Sequence, residues 1–295
     1  MRIAAFHQCD VFTDRLFGGN PLAVVPNADG IESATMQAFA REMNCSESTF
    51  VLPPRDPRAA YRVRIFTPGR ELPFAGHPTI GTAWTLHRLG LLDAVDFAFE
   101  MEIGLVPVRR EGLRFWMRPP LPRLGTPLGD RSFAAALGVT ESEIVGSVRR
   151  SGPFLCVRVA SIDAAAKIEL DRRELRSHCD REIADGNILV VQYEAGRASV
   201  RMVAAIADDV GEDPATGSAV APMLAFLAAA GALGAERREV EIEQGRWIGR
   251  TSTLHARLSW DENHISQVEV GGDCVHAFSA EIAFEGAETS GARQS

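Results

Sequence analysis

The sequence predicts a mixed α/β (α+β), strand-rich fold built as two similar halves. Three observations lead there. Helix and strand signals alternate along the first third of the chain, a strand–loop–turn–helix unit occurs twice, and the two copies lie about half a chain apart. With 295 residues, 46% apolar and 24% charged, the chain is long enough for two ordinary domains or one large one. Either can bury a sizeable core.

Taken in order, "RIAAFHQCDVF" and "PLAVVP" read as strands. In "ESATMQAFAREMN", Met36, Phe39, Ala40 and Met43 fall at i, i+3, i+4, i+7 behind a cap at Ser33, which predicts a helix ending near Asn44. "STFVLP" follows as a core strand, so Glu47 sits in the short helix-to-strand connection beside Ser46, Ser48 and Thr49. A side chain there is held by rigid elements yet can face a cleft. In "YRVRIFTP", Tyr61, Val63 and Ile65 alternate with Arg62 and Arg64, the pattern of a half-buried strand. "GRELPFAGHPTIGTAWTLHRLG" then opens a helix at a Gly-His-Pro turn and carries it through Trp84 and Leu86 toward Gly90.

"SVRMVAAIADDVGEDPATGSAVAPMLAFLAAAG" repeats the unit. Aligning Arg64 with Arg201 and Ala75 with Ala215 matches strand to strand and turn to turn, with gaps of 11 and 14 residues. Around the second copy, "FLCVRVA", "GNILVVQY", "REVEIEQG", "STLHARLSW" and "SQVEVGG" are short strand signals. The tail "EGAETSGARQS" is small and polar, and fraying is expected there. A ligand cleft between two facing halves is the default site.

Thirty-one basic against thirty-nine acidic residues give a net charge of −8 with no Lys/Arg-rich block, which disfavours nucleic-acid partners. The longest apolar segment, "AVAPMLAFLAAAGALG", is short and Ala-rich for a membrane span and reads as a buried helix. The start "MRIAAFHQCDVF" has neither the continuous apolar stretch nor the cleavage site of a signal peptide, so a cytoplasmic location is expected. Cys9, Cys45, Cys156, Cys179 and Cys274 are scattered, without a CxxC pair, and indicate neither a disulfide framework nor a metal site.

The chemistry-bearing stretches are the two turns, "AGHPT" and "EDPATGSA". Each sets Gly, Pro and hydroxyl residues immediately before a helix, where free backbone N–H groups and the helix dipole favour an anion. Ordinary capping by Thr79 and Ser218 is the simpler alternative. His77 lies in the first turn and Asp213 in the second, each open to a capping role. With Glu47 they make an acid/base set of one imidazole and two carboxylates. Glu47 is either a surface carboxylate in a polar turn or a general acid/base whose burial raises its pKa.

"DVFTDRLFGGNPLAVV", "NCSESTFV", "FTPGRELPFAGHPTIGTA" and "EDPATGSA" occur in an order and spacing that resemble the PhzF-like phenazine-biosynthesis family, with landmarks from Asp10 to Ser218. The resemblance implies a diaminopimelate-epimerase-type fold: two pseudo-symmetric halves, each a barrel-like sheet around a central helix, with the active site in the cleft between them. Residues 1–118 would form the N-terminal half, completed by a strand near 276–287, and residues 119–275 the C-terminal half. It also implies a cofactor-free isomerase that moves a proton on trans-2,3-dihydro-3-hydroxyanthranilate or another small carboxylate-bearing metabolite. Catalytic roles would fall to Glu47, His77 and Asp213, and substrate binding to Asn20, Ser46, Gly76, Gly217 and Ser218, with Ser48 a further candidate to orient the carboxyl. A homodimer is implied by the same resemblance.

Related epimerases and proline racemases of this fold carry a cysteine in each turn. This chain has Ala75 and Ala215 near those places, which disfavours two-thiol racemisation, and Cys45 reads as a small buried filler. The chain departs from the family pattern before the second turn, with Val203 where an aromatic is usual and Asp208 and Asp209 adding negative charge. Two alternatives stay open: an epimerase or racemase setting Glu47 opposite Asp213 or His77, and a non-catalytic small-molecule-binding member.

Overall fold

The computed structural model describes residues 2–128, 132–171, 187–204 and 211–284. Asp208, Asp209 and the tail lie outside the described residues. In the first half the strands are β1 (Arg2–Val11), β2 (Asn20–Val25), β3 (Glu47–Leu52), β4 (Tyr61–Phe66), β5 (Glu71–Leu72), β6 (Asp96–Met101), β7 (Gly104–Glu111) and β8 (Arg114–Met117). The helices are α1 (Ser33–Met43) and α2 (Gly76–Arg88). The rest of the chain carries β9 (Leu124–Leu128), β10 (Val148–Ser151), β11 (Phe154–Arg158), β12 (Asn187–Glu194), β13 (Arg197–Ala204), β14 (Glu212–Asp213), β15 (Glu239–Gln244), β16 (Ser252–Asp261), β17 (His264–Gly272) and β18 (Cys274–Phe284). Its helices are the short α3 (Ser132–Ala136) and α4 (Ile162–Ala166), and α5 (Val220–Ala229) behind one 3₁₀ turn, Gly217–Ala219.

The repeat is written in the strand pairing. One run goes β18, β1, β2, β3, β4, β6, β7, β8; the other goes β9, β10, β11, β12, β13, β15, β16, β17. In both, the second pair of neighbours is antiparallel, the third parallel, the fourth antiparallel and the fifth parallel. A two-residue strand flanks the fifth member of each run, β5 beside β4 and β14 beside β13. The runs join where β17 pairs with β8, and β18 returns to pair antiparallel with β1 along its whole length. The register sets Glu71 against Phe66 and Glu212 against Val203, so Glu71 matches Glu212 and Gly76 matches Gly217. This is one residue on from the match of Ala75 with Ala215. Arg64–Glu71 and Arg201–Glu212, at 2.5 and 2.7 Å, are the same ion pair in each copy.

Each sheet curls around its long helix. Helix α2 packs on β18, β1, β2, β3 and also β8, the two ends of one run, and α5 packs on β9, β10, β11 and β17, the two ends of the other. A flat sheet could not touch one helix from both ends. All of α2 except Trp84, His87 and Arg88 is buried, and α5 buries Val220 to Leu224, Phe226 and Leu227. The core around these two helices is continuous between the halves. Smaller cores lie on the outer faces, under α1 in the first half and under α3 and α4 in the second.

Helix α1 follows its apolar stripe, with Met36, Phe39 and Ala40 buried, and stops at Asn44, which takes the left-handed conformation (φ 51°) and returns its N–H to Ala40. Ser33 is not the cap. It is already helical, with Glu32 as the boundary residue, and its hydroxyl accepts from Arg64 Nη1 at 2.9 Å. The second-half segment read as a buried helix is α5. No helix among the described residues is long and apolar enough to cross a membrane.

Candidate active site

The two repeated turns meet. Gly76 opens α2 and Gly217 opens the 3₁₀ turn before α5, and a Cβ built on Gly76 would lie 2.5 Å from the Gly217 carbonyl carbon and closer still to the Ser218 amide nitrogen. Neither helix entry carries a side-chain cap. Thr79 instead donates back to the Ala75 carbonyl at 2.7 Å, so it does not consume a first-turn N–H. Capping therefore does not account for these turns, and their donors and dipoles converge on one region.

Asn20, the first residue of β2, ties the halves together there. Fully buried, its Nδ2 lies 2.8 Å from Asp213 Oδ1, 2.9 Å from the Ala215 carbonyl and 3.2 Å from His77 Nδ1. Ser46 donates to the same Asp213 oxygen at 3.5 Å. Glu47 begins the adjacent strand β3, opposite Leu22, and its side chain turns to the α2 side, like Thr49, which bonds Thr82. Ser48 does not join it. The pleat sends Ser48 to the other face with Ala23 and Phe50, toward α1, so only Ser46 among the hydroxyl neighbours reaches the site.

Glu47 Oε2 faces His77 Nε2 at 3.4 Å, and each of these buried atoms lacks a hydrogen-bond partner in the protein. Buried polar atoms are normally paired, so two facing orphans mark this place as a candidate site. The Glu47 side chain is 16% exposed against 4% for His77, so it is the less deeply buried of the two. Burial, and then the charge of Asp213, push the Glu47 pKa well above the ordinary carboxyl range. Burial brings His77 down to about 3, so the imidazole is neutral at physiological pH. Asp213 is pushed up to about 6 by burial, while hydrogen bonds from Thr216, Asn20 and Ser46 pull it down. Among the described residues no group of three or more His, Cys, Asp or Glu could hold a metal ion. Burial raises the Cys45 thiol to about 11, which leaves it protonated and unsuited to be a base.

The neutral state of His77 has a measurable consequence. Its folded pKa lies below the unfolded value of 6.5, so the stability it confers is present above pH 6.5 and is lost as pH falls toward 3. At pH 4 the loss amounts to about 3 kcal/mol relative to pH 7. Urea unfolding of His77→Gln between pH 7 and 4 should show a decline smaller by that amount; equal declines in both proteins would contradict a buried neutral imidazole.

Three site-shaping residues escaped the sequence reading. Thr216 lies inside "EDPATGSA" but had no role assigned, and it donates to Asp213 Oδ2. Gln244, at the end of β15, bonds the Asp213 carbonyl and Thr216 at 2.8 and 2.9 Å. Arg250 reaches from the second half to the buried Asp10 (2.6 Å) and the Gly18 and Gly19 carbonyls, fixing the loop that delivers Asn20. The Asp10 end of this clamp lies in a quoted motif. Gln244 and Arg250 carry no local signal, because only the folding of distant strands brings them in.

The sequence profile of the PhzC-PhzF family, phenazine biosynthesis-like protein, matches residues 9–280. The trans-2,3-dihydro-3-hydroxyanthranilate isomerase of Pseudomonas fluorescens is 39% identical over 277 residues, covering 90% of this chain and 94% of that one. Among solved structures, a PhzF-family phenazine biosynthesis protein of Bacillus anthracis superposes with a TM-score of 0.82 at 24% identity, over 96% of this chain and all of that one, a likeness of fold. A structure from Pseudomonas aeruginosa described as a predicted epimerase superposes with a TM-score of 0.79 at 31% identity, again over 96% of this chain and all of that one. The chain therefore belongs to the phenazine biosynthesis-like PhzF family and is an isomerase.

Proposed function

We propose that the protein moves a proton between two carbons of a small carboxylate-bearing substrate, trans-2,3-dihydro-3-hydroxyanthranilate or an analogue, with Glu47 as the proton carrier. The observation that carries this reading is the facing of Glu47 Oε2 and His77 Nε2, both buried and unpartnered, where the two uncapped helix entries meet. A carboxylate whose pKa is raised toward the working pH is matched to taking a proton from carbon and returning it. The neutral imidazole is within reach to receive a hydrogen bond from protonated Glu47 or from substrate. The N–H groups at Gly76–His77 and Gly217–Ser218 hold the substrate carboxylate and steady negative charge developing on the conjugated system. Asn20, Ser46 and Asp213 fix the geometry. The relative from Pseudomonas fluorescens supplies the substrate class.

Proton NMR in deuterated buffer tests this with trans-2,3-dihydro-3-hydroxyanthranilate. The expected result is migration of the ring double bonds. A spectrum unchanged on incubation overturns the substrate assignment, and solvent deuterium at a stereocentre without double-bond migration would make the protein an epimerase instead.

A further inference from the structure

The Asp213 carboxylate is surrounded by donors, and one of them is itself aimed. Oδ1 receives Asn20 Nδ2 at 2.8 Å and the Ser46 hydroxyl at 3.5 Å, while Oδ2 receives the Thr216 hydroxyl. The buried Gln244 has its whole amide engaged behind Thr216. Its Nε2 donates to the Asp213 carbonyl (2.8 Å) and to Thr216 Oγ1 (2.9 Å), and its Oε1 accepts the Thr216 N–H (3.1 Å). A hydroxyl has one proton, and with Gln244 donating into its lone pair that proton is left for the carboxylate. A donor fixed in this way favours the charged form of its acceptor.

We propose that Thr216, aimed by Gln244, is a positioning residue of the reaction: it holds Asp213 as a fixed negative charge, and that charge keeps Glu47 a strong proton acceptor. This rests on Glu47 being the proton carrier. The other titratable groups facing Asp213 among the described residues are Glu47 from β3, His77 from α2 across Asn20, and Glu212 beside it in β14. Glu212 is paired with Arg201 of β13 at 2.7 Å, and Arg201 in turn is held by the Ala165 and Ile168 carbonyls. Asp213 lies near 6 with Thr216 pulling it down, so loss of that one donor carries it across neutrality. At pH 7 the site would then lose the charge that raises Glu47.

The test is a carbon-13 titration of the aspartate carboxyl groups in the wild type, Thr216→Val and Thr216→Ser, with Asp213→Asn identifying the resonance, alongside the pH dependence of kcat/KM. Thr216→Val should raise the Asp213 midpoint by about 1 to 2 pH units, the worth of one hydrogen bond to a charged group, and the acidic limb of kcat/KM should rise with it. Thr216→Ser should restore the wild-type midpoint. An unmoved Asp213 resonance in Thr216→Val, or an equal rise in Thr216→Ser, overturns the proposal, as does a shifted midpoint with an unshifted rate profile. Thr216→Ala serves if the valine variant does not fold. Wild-type protein without turnover of trans-2,3-dihydro-3-hydroxyanthranilate overturns the substrate assignment, which the titration reads separately from the relay.

Discussion

Glu47→Gln should lower turnover by about four orders of magnitude, the upper end of what a single positioned acid/base residue supplies, while leaving the protein folded and more stable than the wild type at pH 8. The two halves of this expectation have one cause. Glu47 begins β3 with its carboxyl buried beside Asp213, and both burial and that neighbour penalise the charged form. Its folded pKa lies above the unfolded value, so the stability linked to it is fully present below about pH 4.5 and declines as pH rises through the folded pKa. A neutral amide of the same shape does not pay this cost. Glu47→Gln should therefore match the wild type near pH 4 and exceed it at pH 8 in urea unfolding, while NMR shows no double-bond migration. Turnover within tenfold of the wild type would remove Glu47 from its role. Equal stability at both pH values would contradict a buried, destabilised carboxylate.

How far the sequence led is clearest at particular residues. The stripe Met36–Phe39–Ala40–Met43 and the stop at Asn44 depend on local geometry, and α1 follows them within a residue. The repeat was legible because Arg64 and Arg201 occupy the same place in two copies of one unit, each paired with its glutamate in the structure. What local pattern could not give was direction and distance. Ser46, Glu47 and Ser48 are consecutive, yet the pleat turns Ser48 away toward α1 and leaves Ser46 and Glu47 in the site. Asn20 bonds across 193 residues to Asp213, and Gln244 across 28 residues to Thr216; such contacts exist only once the sheets have curled. The capping alternative for Thr79 fails on position: Ala75 is the boundary residue of α2, and Thr79 lies inside the helix with its hydroxyl donating back to the Ala75 carbonyl.

Gly76→Ala should be a severely damaging single-methyl change, and it falls on the contact between the two turns. The added Cβ would meet backbone atoms of the opposite turn, the Ser218 amide nitrogen and, at 2.5 and 2.7 Å, the Gly217 carbonyl carbon and Cα. No rotamer change relieves a collision with backbone, so the two helix entries must move apart, at a cost of about 3 kcal/mol or more. Separation also pulls His77 and the first-turn N–H groups away from Asn20 and Asp213. A displacement of about 1 Å in a preorganised site costs on the order of a hundredfold in rate. Gly217→Ala should be milder, since its Cβ would sit 3.1 Å from the Phe12 ring and 3.2 Å from Gly76, distances that small shifts can relieve. Gly69→Ala, with nothing nearer than Thr67 Oγ1 at 4.0 Å, should be close to neutral. Thermal melts and turnover of the three variants test this ordering. If Gly76→Ala melts with the wild type and turns over normally, the two turns are not in contact, and the anion site formed by their convergence fails with them.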